Sequence, residues 1–272
     1  MQKYILNKLL ELSDCFSLDD KKIPMTDIFN EGWMLRVCLD WYSQQENTSE
    51  QKLFTFTPTS IWASEAMLSS PFKRRIKSGD KLAEGTTNAD GVLGDLVLSK
   101  NSKWDLSLQN KPEIFYILEA KMNSKLASGV SNVDNYNQST RNIACMIRLL
   151  INENISLDSN IDLGFYVLAP NSKSSIFEEP LSLNFIKKEL ENRLFKYEEF
   201  ANLSSILWKE NDYNEFLSFK NTYKMWIEKI DVKFISWETI IDDIKLSDTL
   251  YAVQLENYYK RCLEENKVKS KL

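Results

Sequence analysis

The stretch Glu113–Lys121 constrains the fold more than any other part of the chain. Residues 114–118 (Ile-Phe-Tyr-Ile-Leu) form a short apolar run rich in β-branched and aromatic residues, which predicts a buried strand. Glu119 and Lys121 follow, separated by the small Ala120. Because side chains alternate along a strand, Glu119 and Lys121 should leave the same face. Such charges at the end of a buried strand are costly unless they have a partner or a function.

A second apolar segment, residues 91–98 (Gly-Val-Leu-Gly-Asp-Leu-Val-Leu), carries Asp95 in its middle. We predict that this segment is a strand next to 114–118. Residues 85–91 should form a strand and turn that lead into it as a hairpin, with Asp90 before Gly91 as a turn residue. One carboxylate inside a strand and a Glu-x-Lys at the end of the next form the candidate site.

The absence of histidine narrows the chemistry. None of the 272 residues is His, which excludes His-based zinc sites and Ser-His-Asp or Cys-His catalysis.

The cysteines form no Cys-x-x-Cys pair and are predicted to be free thiols: Cys15, Cys38, Cys145 and Cys262. The net charge of −5 does not favour nucleic-acid binding over the whole surface, so a polyanionic partner would need a local basic patch.

The element order predicts an α/β fold with a mixed central sheet flanked by helices. Residues 1–57 should form an N-terminal helical region packed on the core. Residues 58–170 should form the core itself. Residues 171–272 should be mainly helical, with one late strand near 232–237, as part of the same domain.

Within the core, residues 58–71 are predicted to form a short helix. Thr59 or Ser60 would cap it, Pro71 would end it, and Glu65 would lie at its centre.

No segment predicts a membrane protein. The first residues lack the layout of a signal peptide, and the longest apolar run, 143–151, is interrupted by Arg148 and is too short to span a bilayer. We therefore expect a cytoplasmic protein with no membrane partner.

Asp95 in one strand and Glu119-Ala120-Lys121 at the end of the next resemble the PD-(D/E)XK nuclease superfamily, which has the restriction-endonuclease-like fold. The core of that family is a helix, a three-strand meander, a helix and a further strand, and residues 60–169 can be laid on this order. Gly94 stands where the motif often has proline. The resemblance does not extend to the rest of the chain.

The resemblance implies a metal site for phosphodiester hydrolysis. Asp95, Glu119 and the carbonyl of Ala120 would bind Mg²⁺, with Mn²⁺ as a substitute, and Glu65 would add a carboxylate from the helix side. Lys121, partly desolvated and with a lowered pKa, would orient or deprotonate the attacking water or steady the transition-state charge.

The resemblance also suggests substrate contacts. Gln138 and Arg141 look like the Gln-xxx-Tyr/Arg element of recombination nucleases and exonucleases, although the spacing here is Gln-x-x-Arg. They would bind the substrate backbone, Arg141 through its guanidinium fork. A basic run would add salt-sensitive, non-specific binding through Lys73, Arg74 and Arg75. The simpler interpretation of this run is an ordinary charged surface.

The predicted function is a metal-dependent nuclease acting on DNA, with RNA still open as a substrate. Restriction, repair and anti-phage defence are equally compatible roles, and a protein partner or a second copy could supply part of the DNA contact. Two alternatives stay open. One is a nuclease-like fold that binds nucleic acid or protein without turnover. The other is a structural domain in which the charges are ion pairs. Asp90 and Glu84 are candidates of lower rank.

Overall fold

The computed structural model describes residues 4–15, 24–45, 53–75, 79–98, 106–130, 133–203 and 209–269. The helices in these ranges are α1 (Ile5–Cys15), α2 (Met25–Ile28), α3 (Glu31–Ser43), α4 (Gln138–Asn152), α5 (Leu183–Leu203), α6 (Glu210–Ile227), α7 (Trp237–Ser247) and α8 (Thr249–Lys269). The strands are β1 (Ile61–Ser69), β2 (Thr86–Gly94), β3 (Leu96–Leu98), β4 (Leu106–Leu108), β5 (Ile114–Ala120), β6 (Gly129–Val130), β7 (Val133–Asp134), β8 (Asp162–Ala169) and β9 (Ile230–Ser236).

A five-stranded mixed sheet with the order β1-β2-β5-β8-β9 forms the centre of the molecule. β1, β2 and β5 pair antiparallel, whereas β5, β8 and β9 run parallel. The parallel pairs need crossovers, which α4 supplies between β5 and β8, and α5 and α6 supply between β8 and β9. The prediction of an α/β fold with a mixed sheet flanked by helices is confirmed. The late strand is also present, and it begins at Ile230.

Helices cover both faces of the sheet, so the central strand β5 is buried over its whole length. Phe115 and Ile117 pack into a cluster with α4, α5 and α6. Tyr116 and Leu118 point to the opposite face and pack with α1, α3, α7 and α8. This alternation sends Glu119 and Lys121 toward the α4 side.

The predicted helix at 58–71 is wrong, because residues 61–69 form the edge strand β1. Eight residues of β1 pair with eight of β2 in one register, from Ile61 opposite Gly94 to Ser69 opposite Thr86, with Glu65 left out of the pairing. Pairing along this length outweighs the local helix signals at Thr59 and Pro71, because strand formation depends mainly on cross-strand neighbours.

The predicted turn at Asp90-Gly91 is also wrong, because both residues lie inside β2. Gly91 sits beneath α3, where a Cβ atom would lie 2.8 Å from Leu35 Cδ2. Asp95 lies in the bend between β2 and β3 instead of inside a strand. The short strand β4 lies between this bend and β5.

Cys38, Cys145 and Cys262 are buried free thiols, as predicted. The side chain of Cys15 lies outside the described part of the structure. Among the described helices, none is long and apolar enough to cross a membrane.

Gly94 provides a test of the bend that follows β2. Its φ is +156°, and a Cβ atom there would lie 2.4 Å from the Ile114 carbonyl oxygen. We expect Gly94→Ala to lower the free energy of unfolding by about 2–4 kcal/mol, measured by urea denaturation. Gly85→Ala is the matched control, because a Cβ atom at Gly85 meets nothing within 4 Å. Equal stability of the two variants would contradict this description of the bend.

Candidate functional site

The site forms where β2 and β5 separate. Their pairing ends at Gly91 and Leu118, so the next residues of the two strands, Asp90 and Glu119, lie beside each other without ladder bonds. The Ala120 N–H instead donates a 2.8 Å hydrogen bond to Asp90 Oδ2. A carboxylate side chain thus replaces the main-chain acceptor at the end of the ladder, and it holds Asp90 next to Glu119.

Lys121 completes a charged group of three. Its Nζ donates a hydrogen bond to Glu119 Oε1 and lies 3.8 Å from Asp90 Oδ2. The Glu119 side chain is completely buried, that of Lys121 is 13% exposed, and that of Asp90 is 28% exposed. The backbone at Lys121 is held by a 2.8 Å bond to the Leu168 carbonyl and a 3.0 Å bond from Trp237 Nε1. The group therefore opens to solvent mainly through Asp90.

Helix α4 supplies two more partners for the Glu119 carboxylate. Gln138 Nε2 donates to Glu119 Oε1 at 2.5 Å, and Asn142 Nδ2 donates to Glu119 Oε2 at 3.1 Å. Gln138 and Asn142 are four residues apart, one helical turn, and so share a face. Asn142 was missed from the sequence, although its spacing from Gln138 was a usable signal. Its buried Oδ1 has no hydrogen-bond partner among the described residues.

The charges in this group shift each other's pKa. Burial raises the pKa of Glu119, the nearby Asp90 carboxylate raises it further, and the Lys121 ammonium offsets this only in part. Burial alone would lower the pKa of Lys121, but Glu119, Asp90 and, more weakly, Glu31 of α3 outweigh it. The pKa of Lys121 is therefore raised in this arrangement, and its lowering beside a bound metal ion stays a prediction.

Asp95 does not belong to this group, which corrects its predicted role. Its N–H donates to the Ile114 carbonyl, so it lies near the start of β5, about 16 Å from Glu119 along the strand. Its Oδ2 accepts hydrogen bonds from the N–H groups of Glu113 (2.7 Å) and Ile114 (3.4 Å). Its Oδ1 accepts three hydroxyl hydrogen bonds, from Thr57, Thr59 and Ser60. Asp95 joins the loop before β1 to the start of β5.

Glu65 is close to the site but does not lie on a helix. The β1–β2 register places it opposite Asp90, and its backbone has a φ of +55°, which is uncommon for a residue other than glycine. Its carboxylate is half-exposed, and Oε1 lies 3.4 Å from Arg36 Nη2.

The predicted basic substrate surface is mostly absent. Arg75 is buried, with its guanidinium bonded to Asp80 (2.8 Å) and to the Tyr197 carbonyl (2.6 Å). Lys73 bonds to Glu215 at 2.6 Å. Arg74 alone of the three is exposed.

The two remaining candidates also lie away from the central group. Arg141 donates to the carbonyl of Thr86, the first residue of β2, at 3.1 Å. Glu84 accepts a 2.7 Å hydrogen bond from Ser70.

The carboxylate oxygens of Asp90 and Glu119 suit a hard cation such as Mg²⁺, with water molecules as its remaining ligands. Within the described ranges, no three Asp, Glu or Cys side chains are close enough to hold a metal ion alone. Mg²⁺ is commonly bound through one or two carboxylates and several waters, which Asp90 and Glu119 could provide. Asp90 is the most exposed of the three side chains. Use of the Ala120 carbonyl as a ligand stays a prediction.

Replacing Asp95 tests its structural role. We expect Asp95→Asn to lower the free energy of unfolding by about 2–4 kcal/mol at pH 7, because an amide nitrogen would face donors. Burial opposes ionisation of Asp95, but hydrogen bonds from Glu113 and the three hydroxyls outweigh it and lower its pKa. Since the folded-state pKa is depressed, the stabilisation is present above the unfolded pKa of about 3.9 and is lost as pH falls through the folded value.

The difference between wild type and Asp95→Asn should thus shrink below about pH 4, measured by denaturation at several pH values. Asp90→Asn is the comparison, because Asp90 is more exposed and should affect stability less. A difference that stays constant down to about pH 2 would contradict the role given to the ionised Asp95 carboxylate.

Comparison of the chain with models of known protein families, with curated proteins and with solved structures found no match. Any functional conclusion therefore rests on the geometry of Asp90, Glu119 and Lys121 and on the order of the elements that carry them.

Proposed function

We propose that this protein is a metal-dependent nuclease that hydrolyses phosphodiester bonds, with DNA as its substrate. The observation that carries the proposal is the meeting of Asp90, Glu119 and Lys121 at the point where two buried strands separate. The pattern is again an acidic residue followed by Glu-x-Lys, with Asp90 in place of Asp95.

The order of the elements supports the proposal. A meander of β1, β2 and β5 is followed by α4 and by β8 parallel to β5. This is the order that the resemblance to the PD-(D/E)XK superfamily implies, and α3, packed on β1, β2 and β5, would be its first helix. Agreement in topology is an analogy and weighs less than the side chains of the site.

Asp90 and Glu119 would hold the metal ion. Bound Mg²⁺ supplies Lewis acidity, neutralises charge on the scissile phosphate and makes a coordinated water more acidic. Asp90 is the more exposed of the two carboxylates, at 28%. Glu119 would need to exchange at least one hydrogen bond, from Lys121 or Gln138, to offer Oε1.

Lys121 would act through its charge. Its raised pKa keeps the ammonium protonated at neutral pH, so in this arrangement it is a poor base. An ammonium beside the metal carboxylates can orient a water and stabilise the negative charge that develops on the phosphoryl oxygens.

A second candidate function has one observation in its favour. The Glu119 carboxylate is fully buried, and hydrogen bonds occupy both of its oxygens, as expected for a charge that serves the fold. In this case the protein would be a nuclease-like fold that binds nucleic acid or protein without turnover. A cleavage assay separates the two candidates.

Cleavage of plasmid, linear and single-stranded DNA, with Mg²⁺, Mn²⁺ or EDTA, tests the proposal. We expect cutting with either metal, none with EDTA, and a loss of about 10²-fold or more in Asp90→Asn and Lys121→Ala. Asp231 and Lys233 provide matched controls, because they form a similar pair two residues apart on β9 at about half exposure. Asp231→Asn and Lys233→Ala should cut like the wild type.

Full cleavage by folded Asp90→Asn or Lys121→Ala would place the chemistry elsewhere. A folded wild-type protein that cuts no substrate with either metal would favour the second candidate.

A further inference from the structure

Arg36 of α3 is held in a defined position at the edge of the site. Its Nε donates a 2.9 Å hydrogen bond to Ser64 Oγ on β1, and its guanidinium carbon lies 5.0 Å from the centre of the Trp33 ring. Nη1 lies over Gly32, where a Cβ atom would be only 3.1 Å away. The side chain is nevertheless 21% exposed. This arginine is fixed in orientation but reachable from solvent.

The acidic partner of Arg36 holds it weakly. Glu65 Oε1 lies 3.4 Å from Nη2, and the Glu65 side chain is 51% exposed. Exposed ion pairs of this kind contribute little to stability, so an anion could displace Glu65 at small cost. Ser64 and Trp33 are thus the contacts that fix the guanidinium, and the carboxylate is an exchangeable counter-ion.

The unusual backbone of Glu65 brings this pair to the site. Trp62 and Ser64 face α3, and Ala63 faces α4. In a regular strand Glu65 would also face α4, yet its carboxylate meets Arg36 on α3. The φ of +55° accounts for this departure. Strained positions of this kind occur often at functional sites.

Arg36 lies near the proposed metal carboxylates as well. The β1–β2 register pairs Ser64 with Gly91 and Ala66 with Ala89, so Glu65 and Asp90 face each other at the unpaired step between them. The guanidinium, bonded to Ser64 and Glu65, therefore lies at the step of β1 that faces Asp90. A nucleic-acid strand with one phosphate on the metal ion at Asp90 would pass the Arg36 guanidinium.

We propose that Arg36 binds a backbone phosphate of the nucleic-acid substrate next to the scissile one, and that Glu65 occupies the guanidinium until substrate displaces it. The inference rests on the proposed function and adds a substrate contact to it. A guanidinium presents several N–H groups in a fixed fork that suits phosphate oxygens. Arg36 would contribute affinity without sequence preference.

Binding of fluorescently labelled single-stranded and duplex oligonucleotides, measured by anisotropy in EDTA to prevent cleavage, tests the proposal. We expect Arg36→Ala to weaken binding about tenfold and to reduce the slope of log affinity against log salt by about one. Arg36→Lys should recover part of the loss. Glu65→Gln should strengthen binding about two- to fivefold, because it removes the competing carboxylate.

Lys220→Ala is the matched control, because it removes one positive charge from another exposed ion pair, with Glu198 at 2.7 Å on α5. It should bind like the wild type. In cleavage assays, Arg36→Ala should raise KM and leave kcat within about twofold, since Arg36 touches a non-reacting phosphate.

The outcomes distinguish this inference from the proposed function. A protein that cuts DNA and whose Arg36→Ala variant binds like Lys220→Ala overturns the role of Arg36 alone. A protein that binds oligonucleotides through Arg36 but never cuts overturns the nuclease and keeps the phosphate contact. A wild-type protein that cuts no DNA and binds no oligonucleotide overturns both, and one that cuts DNA but binds none in EDTA overturns the role of Arg36 alone.

Discussion

Glu119 places a carboxylate in the interior of the protein, with its side chain completely buried. The fold compensates with three hydrogen bonds to its two oxygens, from Lys121, Gln138 and Asn142. Each donor has its own structural requirement: Lys121 needs β5 to end next to β8, and the two amides need α4 to begin directly beside the strand. The position of α4 on the sheet and the buried charge are thus linked, because an unpaired carboxylate here would cost several kcal/mol.

Asp90 has the opposite character. Its carboxylate completes the backbone pairing of Ala120 and still reaches solvent, so it joins the ordered strand to the open side of the molecule. A buried carboxylate, a more accessible carboxylate and an ammonium within one small group give three charges with different solvation. The exposed Asp90 can exchange its partners more readily than the buried Glu119.

The strongly patterned parts of the sequence were predictable. β5, α4 and β8 have long apolar runs or clear helical periods, and the Glu-x-Lys at the end of β5 follows from side-chain alternation alone. The choice between Asp90 and Asp95 was not predictable in the same way. Both are acidic residues next to a glycine in an apolar segment, and only the pairing of Gly91 with Leu118 decides which one meets Glu119. Strand pairing and its register depend on residues far apart in the sequence. The pairing of β1 with β2 also places Glu65 on a strand instead of the predicted helix.

Because the position of Glu119 depends on the register of β5, Asp95 matters for the charged group even though it lies far from it. Asp95 accepts hydrogen bonds from Glu113 and Ile114 and so fixes the register at the start of β5. This is the end of the strand far from Glu119 and Lys121. A slip of one residue at that end would bring Ala120 to the place of Glu119 and turn the acidic side chain to the other face. In the native register, Asp95 therefore helps to position Glu119 without contacting it. Thr57, Thr59 and Ser60 donate hydrogen bonds to Asp95. Substitutions at these three positions could therefore displace Glu119 from Asp90 and Lys121 without changing any of those residues.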